Sequence, residues 1–403
     1  MWHINKIKKY DHRSSFYNCT KIGAFYARDE LSHNLSSFNF VDVLIESIAS
    51  YRLTLNYEHN IKQFNYDIHV IEGQKEHLNV IFVIGESSRV DHWSLFGYSR
   101  DTTPLLKDSC TNMVAFPNAY SGANLTIKSV PILMSPATSM NMKAEYSSLP
   151  IVAAYKHLGY QTYWFTSQKY SNESIINKYS QQSDTVVYCY SKQAHSDDEM
   201  VLSRFRESIR TNALTSGNRF YVLHTMGSHF RYNQRCRKQF FKFTPTIDDK
   251  MSVTEMTHHK DLMINSYDNT IVATDYLLYE LYKEVQQLSV PTILVYVSDH
   301  GEMLGEKDVF LHGLSEPTKQ EIRVPLLLQF NDAFKTNHAQ LLDRVIQQRN
   351  NRFTCNYFMD FLCKLSSFKT QFSLPNTTFC DKEMSSPEKM SVVGTDSKLY
   401  LFD

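Results

Sequence analysis

The sequence predicts an α/β fold built on a largely parallel, buried sheet with helices on both faces. Three observations carry this. Short continuous apolar runs recur at 80–84, 220–224, 292–297 and 325–330. Runs of that length, rich in β-branched or aromatic residues and closed by turn residues, suit strands covered on both sides. Stretches with apolar residues at helical spacing lie between them, and such alternation over roughly 250 residues belongs to strand–helix–strand units.

The elements follow in order. Residues 1–39 are polar and weakly patterned and read as a lead-in. Residues 40–56 place apolar side chains at helical spacing, and 57–75 read as a linker. A single domain is expected from 76 to 403. Its first strand, 80–84, breaks at Gly85-Glu86-Ser87-Ser88. A helix over 149–157 stops at Gly159, and a strand follows at 162–165. The helix over 197–209 opens with Asp197, Asp198 and Glu199, which suit a helix N-terminus, and carries Val201, Phe205 and Ile209 on one face. After the strand at 220–224 comes a long helix over 269–288. Leu278, Leu281, Val285 and Leu288 form its stripe, with Asp275, Lys283, Glu284 and Gln287 off it. Pro291 ends that helix, and strands follow at 292–297 and 325–330. A helix over 352–365, a loop around 385–389 and an edge strand or hairpin over 392–402 complete the chain.

Composition narrows the functional classes. The 403 residues carry 42 Lys plus Arg and 42 Asp plus Glu, so the formal charge is zero. Binding nucleic acid through bulk positive charge is therefore excluded. Hydrophobic residues make up 42%, with only 12 Gly and 11 Pro, which excludes collagenous and globally disordered chains. No apolar stretch approaches the roughly 18 residues that a membrane span requires, and no cleavable signal is legible. The seven cysteines form no CxxC pair, which argues against a thiolate zinc cluster.

Chemistry collects where parallel strands end at their carboxyl edge. The first strand runs into Glu86, and the strand at 292–297 runs into Asp299-His300, with Glu302 just beyond. Two carboxylates and an imidazole on one rim are a donor set for Zn²⁺ or Mn²⁺. Taken singly, each acid could instead cap a helix or pair with Arg. Among other histidines, His92, His224, His229 and His312 follow strand-like or turn segments, whereas His258 and His259 read as surface residues. No GxSxG elbow or P-loop is present. The segment 121–135 offers Thr126 and Ser129 at the start of a helix, where amide groups favour an anion. An ordinary N-cap is the alternative there.

These residues resemble a known family. NVIFVIGESSRVDHWSLFGYSRDTTPLL (79–106), TIKSVP (126–131), LHTMGSH (223–229), SYDNTIVATDYLL (266–278), VSDHGEMLGE (297–306), FLHG (310–313) and EIRVPLLL (321–328) are similar, in order, to bacterial phosphoethanolamine transferases. Those enzymes have a sulfatase-like catalytic domain of the alkaline phosphatase superfamily. The resemblance implies the three-layer sandwich of that superfamily. It also implies a zinc ion held by Glu86, Thr126, Asp299 and His300, with Mn²⁺ as the lesser alternative. Thr126 falls on the nucleophile, while His229 and His312 fall on positions that contact the transferred phosphate or a second zinc. Asn124 and His224 are read as substrate contacts, and Lys128 either as a contact to an anionic acceptor or as a solvated lysine. The implied donor is phosphatidylethanolamine and the implied acceptor a lipopolysaccharide, through lipid A or a core sugar. A monomer at the periplasmic face of the bacterial inner membrane is expected, with no nucleic-acid partner.

This sequence departs from the family in three ways. Several transmembrane helices usually precede the domain, and 40–75 would be the juxtamembrane helix and linker that join them to it. Gly122 and Ile132 stand near the places of the cysteines that flank the nucleophile in lipid A-modifying members. The later cysteine pairs are not reproduced. A sulfatase would need an Arg where Leu133 stands. A phosphoglycerol transferase and a non-catalytic relative that binds glycan or lipid are two rival readings of the same motifs.

Overall fold

The computed structural model describes residues 51–403, apart from 53, 72–76, 172–173, 191–196 and 213–216. Backbone contacts divide the chain into 1–52 and 53–403, and the elements below belong to the second unit. The expected lead-in lies outside the described residues, as does the helix over 40–56 except for its last turn. Tyr57 and Tyr66, in the segment read as a linker, are buried in the main core, and His69–Val70 pairs with Phe368–Lys369.

Eight strands form the central sheet. They are β1 (Asn79–Gly85), β2 (Met113–Tyr120), β3 (Gln161–Thr166), β4 (Thr185–Tyr188), β5 (Arg219–His224), β6 (Thr292–Ser298), β7 (Arg323–Phe330) and β8 (Phe353–Thr354). Their spatial order is β8-β2-β7-β6-β1-β5-β3-β4. All but β7 point the same way. After β6 the chain stays at the sheet's carboxyl edge, in a hairpin (Met303–Glu306 with Val309–Leu311) and one helical turn (Lys319–Ile322). With no crossover to the opposite edge, β7 must return antiparallel.

The predicted strands at 80–84, 162–165, 220–224, 292–297 and 325–330 are present with slightly wider bounds. β2 escaped the sequence reading because Pro117 interrupts it, and Pro normally argues against an interior strand. Here Pro117 and Pro325 lie at a bulge between Val324 and Leu326, where ladder hydrogen bonding is already broken. The expected helix over 352–365 is shorter: β8 and a 3₁₀ turn occupy 353–357 before the helix begins at Phe358.

Helices cover both faces of the sheet, among them α1 (Thr126–Met134), α2 (Ile151–His157), α3 (Asp197–Asn212), α4 (Lys260–Gln286) and α5 (Phe358–Leu365). Side chains of β1 alternate between the two faces. Val80, Phe82 and Ile84 pack with Val130 of α1, Tyr155 of α2 and Phe358 of α5. Ile81 and Val83 pack with Phe205 of α3 and Leu278 of α4. Burying each of these β1 side chains stabilises the fold by about 2 kcal/mol, so both layers are needed to fix the strand that ends at Glu86.

The face of α4 away from its apolar stripe is partly internal. Asp275 accepts from the N–H groups of Leu105 and Leu106 at 3.0 and 2.9 Å, capping the short helix Pro104–Ser109. Burial pushes its carboxyl up to about 7 against those bonds. Glu284 and Glu280 pair with Arg206 of α3. The chain ends in the expected hairpin, Met390–Val393 with Leu399–Phe402, whose Val393 N–H bonds Gly122 O at 2.9 Å.

A buried ion triad ties α5 to the C-terminal loop. Lys364 Nζ lies 2.9 Å from Asp360 and 2.8 Å from Asp381, with the Leu374 carbonyl at 2.7 Å. Removing one partner of a buried pair strands the other charge. Lys364→Met should therefore cost about 3 kcal/mol, read as a lower urea midpoint. An unchanged midpoint would show that the triad adds nothing.

Candidate active site

Strand register builds the centre of the site. Gly85 of β1 pairs with Ser298 of β6, so Glu86 and Asp299 leave the sheet side by side. Asp299 N–H still donates to Gly85 O at 3.0 Å. Both carboxylates and the His300 ring are almost wholly buried. On the other side of β1, Gly227 follows β5 with φ +46°, and a Cβ there would lie 2.8 Å from the Glu86 carbonyl oxygen. Only glycine allows that loop to press so closely on the Glu86 backbone.

α1 delivers the hydroxyl. Thr126 is its first residue, preceded by Leu125 in extended conformation. Its Oγ1 lies 3.1 and 3.3 Å from the two Glu86 oxygens and 3.1 Å from His300 Nε2. His300 Nε2 is also 3.3 Å from Glu86 Oε1 and 3.4 Å from Asp299 Oδ2. Ser129, the other candidate, turns back to the Leu125 carbonyl at 3.1 Å, as a helical serine does, and takes no part.

The protonation pattern follows from this crowding. Burial raises the Glu86 carboxyl, yet the hydrogen bond and charge of His300 hold it below the usual carboxylate range. Asp299 is pushed up to about 7 by burial and by the Glu86 charge. Burial opposes a charged His300, but Asp299 and Glu86 together raise it to about 10.

These four side chains fit a zinc ion on three counts. Zinc bonds of about 2.0–2.1 Å in a tetrahedron place neighbouring donors about 3.3 Å apart, and Thr126 to Glu86, Thr126 to His300, His300 to Glu86 and His300 to Asp299 are spaced at 3.1 to 3.4 Å. Asp299 Oδ2 is buried without a hydrogen-bond partner, while Oδ1 accepts from Ser87 and His300 N–H groups. The His300 Nδ1 lies 2.8 Å from the Gly301 carbonyl, which requires its proton and leaves Nε2 as the donor atom.

A second group adjoins the first through Glu86. One ligand atom each of Glu86, His229 and His312 lie within 4.8 Å of one another. His229 Nδ1 faces the Phe230 carbonyl at 2.6 Å, and burial lowers its pKa, with Glu86 opposing. His312 Nδ1 lies 2.6 Å from Glu302 Oε2, and Tyr232 donates to the other Glu302 oxygen at 2.8 Å. Both imidazoles therefore turn Nε2 toward the shared centre. In the sequence Glu302 stands out only as an acid beyond Asp299-His300. Its role as the fully buried anchor of His312 depends on a fold-back ten residues long that no local pattern announces.

Other expected contacts are placed elsewhere. Asn124 is buried, and its amide donates to the Leu314 carbonyl and to Glu321, so it holds the loop before Thr126 rather than facing a substrate. Lys128 is half-buried. Its ammonium reaches Gly394 O at 2.7 Å, Thr395 O at 3.2 Å and Ser397 Oγ at 2.9 Å, pinning α1 to the terminal hairpin. His224 is 1% exposed, belongs to neither donor group, and has neither ring nitrogen hydrogen-bonded. Burial lowers its pKa to about 4, with Glu86 opposing. His92 pairs with buried Asp268 at 2.7 Å, and His258 and His259 are exposed. Gly122 and Ile132 face each other: a Cβ on Gly122 would lie 3.0 Å from Ile132 Cδ1. Packing joins the two ends of the segment that carries Thr126, and the six described cysteines are all free thiols.

Comparison with known proteins adds to this geometry. Residues 78–366 match the sulfatase family. The chain is 28% identical over 292 residues to a phosphoethanolamine transferase, EptA, of Helicobacter pylori, covering 71% of this chain and 54% of that protein. It is 32% identical over 283 residues to EptA of Escherichia coli, covering 67% and 49%. The chain thus spans about half the length of the curated relatives it matches. In fold it is similar to the C-terminal periplasmic domain of Escherichia coli EptC in complex with zinc, with a TM-score of 0.74 at 21% identity over 84% of this chain and 96% of that one. The chain belongs to the sulfatase family and is a relative of the bacterial phosphoethanolamine transferases.

Proposed function

We propose that this protein transfers phosphoethanolamine from phosphatidylethanolamine to a lipopolysaccharide, at lipid A or a core sugar, through a covalent phospho-threonine. The observation that carries the reading is the Thr126 hydroxyl, held at a helix N-terminus 3.1 Å from both Glu86 and His300. A neutral hydroxyl is a poor nucleophile. Zinc held by Glu86, Thr126, Asp299 and His300 would stabilise the alkoxide and offset charge on the phosphoryl group. Mn²⁺ is the less suitable ion for a site with an imidazole donor.

The chain's residues divide the remaining work. Thr126 Oγ1 forms a bond to phosphorus while the bond to the diacylglycerol oxygen breaks. His312, held by Glu302, donates a proton to that leaving oxygen. The phosphoethanolamine then rests on Thr126. An acceptor oxygen attacks the phosphorus, its proton passes to His229, which burial biases to the neutral form, and the Thr126 oxygen leaves; His229 then returns that proton through solvent to His312, which restores both imidazoles. The group of Glu86, His229 and His312 would hold the phosphate or a second cation. Among the described residues no helix is long and apolar enough to cross a membrane. The domain is read as a monomer working at the periplasmic face of the inner membrane, the compartment that names its structural relative.

Three outcomes are expected. Incubation with phosphatidylethanolamine and zinc should add one phosphoethanolamine to the peptide 121–131, seen by intact-mass and peptide spectrometry, and Thr126→Ala should remove both adduct and turnover. Retained turnover in that variant would take the nucleophile role from Thr126. Asp299→Asn and His300→Ala should each weaken zinc affinity by at least about 100-fold, measured by chelator competition, and unchanged metal content in both would refute the ligand set. Finally, zinc must displace protons from groups raised to about 7 and about 10. Affinity should therefore fall as pH drops from 8 to 6, with proton release on binding; pH-independent affinity would contradict this.

A further inference from the structure

Two tyrosines sit on the rim of the site with their rings turned to solvent. Tyr170 is 49% exposed and Tyr190 is 39% exposed. Large aromatic side chains normally bury most of their area, so two open rings beside a catalytic centre call for an explanation. Their placement follows from the sheet. Strands β3 and β4 are parallel neighbours with Thr166 opposite Tyr188, so both chains emerge at the same carboxyl edge as β1 and β6. Gln168, two residues past β3, bonds the Thr225 carbonyl at 3.0 Å and lies 3.4 Å from Glu86 Oε2. Tyr170 is two residues further on, which puts its backbone on the order of 10 Å from the Glu86 carboxylate.

The rings are held in place. Tyr170 meets Tyr188 edge to face, with centroids 5.2 Å apart, and its hydroxyl accepts from Gln181 at 3.3 Å. Tyr188 is fixed in turn by Ser180 at 3.1 Å. Lys169 places its ammonium 5.1 Å from the centre of the Tyr190 ring. Two partly exposed tyrosine rings, one of them beside the Lys169 ammonium, thus stand at the carboxyl edge of β3 and β4.

We propose that Tyr170, Tyr190 and Lys169 form the acceptor subsite, taking an anionic sugar whose apolar C–H face stacks on the tyrosines. This rests on the transferase reading above and deepens it. A pyranose ring presents one face of C–H groups and a rim of hydroxyls, which matches a ring with an apolar body and a polar tip. Charge decides between sugar and donor headgroup. Lys169 already occupies the region over Tyr190, so the ammonium of ethanolamine would meet like charge there. A phosphate or carboxylate on the sugar would meet opposite charge. The distance from Glu86 suits a ring lying outside the site while one of its oxygens, or that of the next sugar, reaches Thr126.

Saturation-transfer NMR on the zinc-loaded protein tests this with three probes: glucosamine 6-phosphate, methyl glucoside and ethanolamine. Glucosamine 6-phosphate should bind, and Tyr170→Ala or Tyr190→Ala should weaken it about tenfold, with Tyr170→Phe and Tyr190→Phe restoring the affinity. Lys169→Ala should weaken the phosphorylated sugar and leave methyl glucoside unchanged. Absence of saturation transfer to either sugar, sugar binding indifferent to both tyrosines, or ethanolamine binding that depends on them would overturn the assignment. The Thr126 adduct on wild-type protein is read separately: without it the transferase reading fails, whereas an adduct combined with tyrosine-independent sugar binding removes only this subsite.

Discussion

Concentrated negative charge in a dry place organises this protein. Glu86 and Asp299 leave neighbouring parallel strands at the same level, so two carboxylates arrive together beneath the surface. In a medium of low dielectric, two such groups cannot both ionise without a cation between or beside them. His300 supplies one positive charge from the same strand end, and Asp299 still rises toward neutrality. A divalent cation would settle the imbalance completely. The buried Asp299 oxygen that no hydrogen bond reaches marks where the protein alone falls short.

The rest of the fold serves that centre. Both faces of β1 and β6 are covered by helices, which keeps water away and fixes the strand ends. Loops from β5 and from the hairpin after β6 bring His229 and His312 to Glu86 as well, with the His312 ring beside that of His300. α1 brings its first residue, Thr126, into the donor set, and Lys128 locks the same helix to the terminal hairpin. Thr126 is thus positioned by a helix end, a lysine clamp and the packing of Gly122 on Ile132, and the described cysteines are free thiols.

Much of this arrangement could be read from residue order. The apolar runs ending at Glu86 and Asp299-His300 announce buried parallel strands, and two acids on one rim follow from that alone. Thr126 was one of two hydroxyls until its motif resembled a known family, and the helix geometry then set Ser129 aside. Other features depend on contacts far apart in the chain. β2 was hidden by Pro117, whose missing donor is harmless only because a bulge lies opposite. Asp275 lies off the apolar stripe of its helix yet caps a helix 170 residues earlier. Lys128 and Asn124 are spent on loops near 394 and 314, which no local spacing encodes. Glu302 carries a role visible only when the hairpin folds His312 back onto it.

The most direct measurement is anomalous X-ray scattering at the zinc edge from crystals of the zinc-loaded protein. The account predicts a peak among Glu86, Asp299, His300 and Thr126, at bonding distance from all four. A peak confined to exposed histidines such as His258 and His259, with none beside Asp299, would contradict it.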